Sequence, residues 1–236
     1  MILKIATYNI AAGLSDGFFK KKNYYKAADV IKSINADITS LNEVGKPLPE
    51  TIREHTEFLA DYCGYQYFQF AKSTMYQTYP YGNAVLSHYP IANAKVEGVK
   101  KYVQLLPGIY EPRSILTAEM LCEKPIRIIC THLGLFPDEQ KIALMRIEQI
   151  VKSSTLPTVL MGDLNAESDC KILNPIKSIL NDACEMHGAA LKTYPALRPR
   201  KRLDYIFVTK NITVKQIRTV NEIASDHLPL VADIEL

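Results

Sequence analysis

No stretch of this 236-residue sequence is long and apolar enough to cross a bilayer as a helix. The opening residues, "MILKIATYNI", are too few and too polar for a secretory leader. A cytoplasmic chain is therefore expected, or a secreted one if a leader has been removed. The five cysteines (Cys63, Cys122, Cys130, Cys170 and Cys184) are odd in number and lack any Cys-x-x-Cys spacing. That leaves no readable zinc site or disulfide framework, and it suits buried thiols in a reducing compartment. Repeats, low-complexity tracts and linkers are absent. An excess of either sign of charge is lacking too, with a formal balance of only +3. Such a balance admits an anionic substrate without demanding nucleic acid.

What is present is ordinary for a globular protein: 47% apolar and 22% charged residues. The length suits one domain over residues 1–236 with a substantial core, and a monomer is expected. Apolar, β-branched stretches alternate with helical patterns. "ILKIATYNI" (2–10) and "DITSLNEV" (37–44) read as strands. "NYYKAADVIKSINA" (23–36) carries Ala27, Ala28, Ile31 and Ile34 at helical spacing. "PETIREHTEFLADYC" (49–63) reads as a helix with Pro49 near its start.

The middle is rich in strands: "YQYFQFA", "GNAVLSHYPI", "AKVEGVKKYVQLL", "RSILTAEMLC" and "IRIICTHL". A helix follows over 137–153, opened by Pro137 and two acids. Then come the strand "TVLMGD", a short helix near 168–180, and the closing strands "LDYIFVT", "ITVKQIRTV" and "PLVADIEL". Strands mixed with crossover helices mean an α/β fold. The run of consecutive strands is too long for a purely parallel doubly wound sheet. Two packed mixed sheets with outer helices fit better.

The polar residues fall where those strands end. Asn9 closes "IATYN", Glu43 closes "ITSLNE" and His132 closes "IICTH". Asp163 and Asn165 close "VLMGDLN", Asp204 opens "DYIFV" just after Arg202, and Asp226 and His227 precede "LPLVADI". Each alone has a plain explanation: a turn at Gly162-Asp163, a capped turn at Ser225-Asp226-His227, a satisfied core histidine at His132. Six such edges together point to one convergent pocket, because loops at strand ends are where α/β proteins build sites. Carboxylates and amides without thiolates suit a hard cation, Mg²⁺ or alternatively Mn²⁺. Two histidines with spare aspartates supply a general acid or base and its orienting partner. Together these are the parts for metal-assisted hydrolysis of a phosphate ester.

The segments "TYNI", "LNEV", "GNAVLS", "THL", "GDLN", "RLDYIF" and "SDHLP" occur in an order that resembles the endonuclease/exonuclease/phosphatase superfamily, from residue 7 to residue 229. The resemblance implies a DNase I-like four-layer α/β sandwich of two packed mixed β-sheets flanked by helices. It also implies divalent-metal cleavage of a phosphodiester or phosphomonoester. On that resemblance Glu43 is the main metal carboxylate, with Asn9 close by and Asp226 supporting through water. Asp163 orients and deprotonates the attacking water, and Asn165 holds a phosphate oxygen. His227 contacts the phosphate and assists proton transfer, with Asp204 fixing its ring. His132 and Arg113 stabilise phosphoryl charge, and Asn83 supports the site. Asn42 stands where many members have Gln. The His132 segment resembles the DNase I, sphingomyelinase and phosphatase branches more than the apurinic endonucleases.

Two basic clusters bear on the substrate. "FFKKKNYYK" (18–26) could stack bases and track a backbone, but its plain reading is a solvated loop whose aromatics belong to the core of the following helix. In "RPRKRLDY" (198–205), Arg198, Arg200, Lys201 and Arg202 lie just before Asp204, so some should rim the pocket. No groove-entering insertion is evident. A small or exposed phosphate ester is the favoured substrate, with nuclease action on DNA or RNA as the alternative and an inactive binding member as a third reading. Specificity loops are expected at 14–24, 72–82 and 104–112.

Overall fold

The computed structural model describes residues 1–13, 24–45, 55–76, 79–99 and 111–236. Twelve strands among them form two six-stranded sheets. In the first, β1 (Ile2–Asn9) lies between β12 (Leu230–Glu235) and β2 (Ile38–Gly45). Beyond β12 lies β11 (Thr213–Thr219), and beyond β2 lie β4 (Tyr79–Ser87) and β3 (Tyr67–Tyr76). The second sheet runs β5 (Ile91–Val99), β6 (Arg113–Met120), β7 (Ile126–His132), β8 (Thr158–Asp163), β10 (Asp204–Val208) and β9 (Asn181–Asp182). Each sheet mixes the two directions. β1 pairs parallel with β2 and antiparallel with β12, while β7 pairs parallel with β8 and antiparallel with β6.

Side-chain alternation along the strands explains the layering. Leu3 and Ile5 of β1, Ile128 and Cys130 of β7, Val159 and Met161 of β8, and Ile206 and Val208 of β10 share the core between the sheets. The alternate residues face outward. Ala6 and Tyr8 pack under α1 (Tyr24–Ile34) and α2 (His55–Cys63). Ile129, Leu160, Tyr205 and Phe207 pack under α3 (Pro137–Lys152) and α4 (Asn174–Ile179). Both faces of these strands are covered, which is why they read as unbroken apolar runs.

The same parity sets the site. Asn9 continues the inward series of Leu3 and Ile5, His132 that of Ile128 and Cys130, and Asp163 that of Val159 and Met161. Asp204 precedes Ile206 in the same register. These polar residues therefore point between the sheets, at one end of the sandwich.

Several sequence expectations shift. "GNAVLSHYPI" is two strands, since β4 stops at Ser87 and β5 starts at Ile91. Ser87 Oγ accepts from Tyr89 N at 2.9 Å and Pro90 offers no N–H, so the ladder breaks there. The helix expected over 168–180 is a 3₁₀ turn (Lys171–Leu173) followed by α4, with Pro175 in its first turn. The two-residue β9 and the single-turn α5 (Ala183–Met186) carried no periodic signal. Much of 72–82, expected as a loop, is the β3–β4 hairpin. Residues 49–54, and the rest of "AKVEGVKKYVQLL" beyond Val99, lie outside the described residues. So do most of the loops expected at 14–24 and 104–112.

Candidate active site

The site is built at a β-bulge. In the β2–β4 pairing, Leu41 faces Ala84 and Val44 faces Gly82, so Asn42 and Glu43 together oppose Asn83. Leu41 and Val44 both pack outward, three residues apart, which a regular strand forbids. The extra residue is absorbed by Glu43, held at φ +58°. Left-handed backbone at a non-glycine residue costs about 1 kcal/mol or more and is held only where its surroundings insist.

Asn42 fastens this bulge across the sandwich. Its Nδ2 donates to Asn83 Oδ1 at 2.8 Å and to Thr131 O at 3.0 Å, and its Oδ1 accepts from Asp163 N at 2.9 Å. One fully buried amide thus binds β2, β4, β7 and β8 together. Gly162 makes room for it. At φ +145°, an added Cβ would sit 1.8 Å from Thr131 O and 3.2 Å from Asn42 Oδ1.

Asp163 is where the two sheets' polar groups converge. Only 1% exposed, it takes Asn9 Nδ2 on Oδ2 at 3.0 Å and Asn165 N on Oδ1 at 2.9 Å. The same Asn9 Nδ2 donates to Glu43 Oε1 at 3.0 Å, so one amide links the two carboxylates. Asn9 Oδ1 accepts from Ala11 N, which fixes the amide's orientation. Burial, reinforced by the negative charge of Asp204, pushes the Asp163 carboxyl up to about 7.

His227 lies on the other side of Asp163, with Nε2 3.6 Å from Asp163 Oδ2. Its Nδ1 is hydrogen-bonded to Asp204 Oδ2 at 2.8 Å. Burial alone would lower this imidazole, but Asp204, Asp163 and Asp226 outweigh it and raise it to about 10. At neutral pH His227 is an imidazolium between two carboxylates. Ser225 Oγ donates to Asn9 O at 2.7 Å and lies 3.2 Å from Asp226 Oδ1, tying the Asp226 loop to β1.

His132 and Arg113 form the third side. Arg113 NH1 lies 2.9 Å from His132 Nδ1. A guanidinium can only donate, so Nδ1 accepts and the ring proton sits on Nε2, 3.5 Å from Asp163 Oδ2. Burial, then the nearby charges of Arg113 and His227, hold His132 well below the ordinary histidine range, so it is neutral. Asn165 Nδ2 donates to Leu133 O at 2.8 Å and lies 3.0 Å from His132 Nε2, too poor a match for a hydrogen bond when that ring nitrogen carries the proton. Asn165 too is left-handed, at φ +47°. Its side-chain amide is engaged on Leu133 O beside His132, and its backbone N–H donates to Asp163.

Sequence reasoning missed Glu111, whose Oε1 accepts from Arg113 NH1 at 2.9 Å. Burial and the Glu43 charge raise its carboxyl, against the pull of Arg113. Its signal was its place two residues before Arg113 in "EPRSIL". Tyr81, hydrogen-bonded to Glu43, was missed as well.

Among the described residues, two places could hold a cation. The ligand atoms of Asp163, Asp204 and His227 all lie within 4.8 Å of one another. A protonated His227 has no lone pair to give, however, and its Nδ1 is already committed to Asp204. Glu43 is a carboxylate turned out by the bulge, half-buried, with Asn9 steadying one oxygen. An oxygen donor of this kind fits a hard divalent ion.

A family model described as "Endonuclease/Exonuclease/phosphatase family" matches residues 6–227. The chain belongs to that family. Its members are hydrolases of phosphoester bonds and are generally metal-dependent. The Escherichia coli K12 protein YbhP is 31% identical, over 99% of this chain and 96% of its own length. A family structure from Bacteroides vulgatus superposes with a TM-score of 0.80 at 19% identity, covering 100% of this chain and 99% of its own. A mannosyl-6-phosphatase from Bacteroides thetaiotaomicron superposes at 0.75 with 14% identity, covering 99% of this chain and 100% of its own. The two sheets with outer helices are the DNase I-like fold of the family.

Of the residues in the two basic clusters, Arg202 departs from its expected place. Arg202 is buried, not rimming: its NH1 and NH2 grip Asp182 Oδ1 and Oδ2 at 2.9 and 2.6 Å, and its guanidinium lies 4.6 Å from the Tyr205 ring centre. Lys201 reaches Glu167 at 3.4 Å, and Arg198 and Arg200 are exposed. Of "FFKKKNYYK", residues 18–23 lie outside the described residues. Tyr24 is buried edge-on against His55 at 4.9 Å, whereas Tyr25 is exposed.

Proposed function

We propose that this chain is a Mg²⁺-dependent phosphoesterase that cleaves a small or exposed phosphodiester or phosphomonoester by attack of water. The observation that carries this reading is the convergence on Asp163. A buried carboxylate, raised toward neutrality, lies between the Asn9–Glu43 pair and the His227–Asp204 pair. A group tuned that way is suited to take a proton near pH 7. Mn²⁺ would serve the same oxygen donor.

Glu43 would hold the ion, with Asn9 orienting it and Asp226 supporting from the loop that Ser225 pins to β1. An ion held there would supply Lewis-acid chemistry, polarising a phosphoryl group and making water easier to deprotonate. Asp163 orients the attacking water and takes its proton. The His227 imidazolium, fixed by Asp204, donates to the phosphate as charge builds and assists proton transfer. Arg113, His132 and Asn165 form the opposite wall. These donors are already set in place by Glu111, Leu133 O and one another, so little reorganisation is needed as charge develops.

The assay is hydrolysis of bis(p-nitrophenyl) phosphate and p-nitrophenyl phosphate in millimolar Mg²⁺, beside nicking of supercoiled plasmid. EDTA and Asp163→Ala are the controls. Turnover of the small esters that both controls abolish supports the reading. Plasmid nicking alone moves the assignment to a nuclease. Turnover that survives Asp163→Ala removes Asp163 from its role.

A further inference from the structure

The wall that receives the phosphate contains a carboxylate. Arg113, 7% exposed, spends one guanidinium nitrogen on two partners, His132 Nδ1 and Glu111 Oε1, both at 2.9 Å. Its Nε is buried with no hydrogen-bond partner among the described residues. An arginine fork binds carboxylate and phosphate by the same geometry, so Glu111 stands where it competes with an incoming phosphate for Arg113. It is not alone. The Glu43 carboxylate is near enough for its charge to bear on Glu111.

We propose that Glu111 is a specificity-determining residue, biasing the phosphate cradle toward monoanionic phosphodiesters and against dianionic phosphomonoesters. The inference rests on the phosphoesterase reading and narrows its substrate class. A phosphodiester brings one negative charge and a phosphomonoester two near neutral pH. Either ester, held by Arg113, would bring its charge close to Glu111, whose partial exposure damps the repulsion without removing it. The second charge therefore suffers an additional repulsion that the first does not. Discrimination by a built-in repulsive group is a common route to specificity. Glu111 is partly exposed, with its side chain 42% accessible, so replacing it leaves the core intact.

The test compares kcat/KM for p-nitrophenyl phosphate and bis(p-nitrophenyl) phosphate in wild type, Glu111→Gln and Glu111→Ala at pH 8. Gln keeps an oxygen for Arg113 but removes the charge. The expected result is a monoester-to-diester ratio that rises about ten-fold or more in Glu111→Gln, by the loss of one close like-charge contact. Inorganic phosphate should also raise the Tm of Glu111→Gln more than that of wild type. An unchanged ratio overturns the proposal. So does an equal loss on both esters in Glu111→Ala that Glu111→Gln restores, because Glu111 would then only hold Arg113. If wild type turns over neither ester, the phosphoesterase reading fails on small esters. The phosphate-induced Tm difference then still decides whether Glu111 repels dianions.

Discussion

At the scale of single residues, the site sets charge against burial. Asp163 is held between neighbours that want it ionised, Asn9 and the Asn165 N–H, and surroundings that do not. A carboxyl raised above its unfolded value costs stability as pH climbs through that range, because the folded state resists ionisation. Asp163→Asn is therefore expected to lose turnover on the order of 10³-fold, the scale of a general base. Its Tm at pH 8 should be no lower than wild type. Thermal melts beside steady-state rates check this, and a variant that is both inactive and poorly folded would return Asp163 to a structural role. Glu43 makes a complementary prediction. Millimolar Mg²⁺ should raise the Tm of wild type by mass action, and Glu43→Gln should lose most of that gain. An equal gain in both proteins would place the metal elsewhere, with Asp163 and Asp204 the next donors to test.

At the scale of elements, the bulge in β2 and the glycine in β8 make the site possible. Gly162→Ala drives a methyl into Thr131 O and the Asn42 amide, in a backbone region that favours glycine. It should cost about 3 kcal/mol or more, the upper range for overpacking a core. Asn42→Ala leaves Asp163 N and Asn83 Oδ1 without this partner, and should cost about 3 kcal/mol. Urea unfolding measures both. These elements also show what a sequence can and cannot convey. The strands were legible because both faces are covered, and "IRIIC" and "TVLM" are what such burial selects. Asn9, His132, Asp163 and Asp204 were legible as polar ends of those runs, and the structure brings them together with Glu43 and His227. Asn42 was noted only as a departure from a motif, because its work lies in contacts with Asn83, Thr131 and Asp163 far away in sequence. Arg202 misled for the same reason. Its charge suggested a rim, and nothing in "RPRKRLDY" announces that Asp182 will bury it.

At the scale of the whole molecule, the layer of α1 and α2 over the first sheet holds a titratable group that takes no part in the chemistry. His55 opens α2 and packs edge-on against Tyr24 of α1 at 4.9 Å. Neither ring nitrogen has a hydrogen-bond partner among the described residues. Burial lowers its pKa to about 4 from the ordinary 6.5. Between those values the unfolded chain binds a proton that the folded chain refuses, so stability rises with pH across that window. Read downward, the protein loses about 3 kcal/mol as pH falls from about 6.5 to about 4, at 1.36 kcal/mol per unit. Asp163 works in the opposite sense, since its raised carboxyl is protonated in the folded state before the unfolded one. The net acid limb therefore mixes the two, and a comparison with a variant separates them. His55→Phe keeps a ring against Tyr24 but cannot be charged. Its unfolding free energy should fall less steeply than that of wild type between pH 6.5 and 4, with the two curves parallel above pH 7. Curves that stay parallel down to pH 4 would mean that His55 takes its proton without opening the layer it holds together.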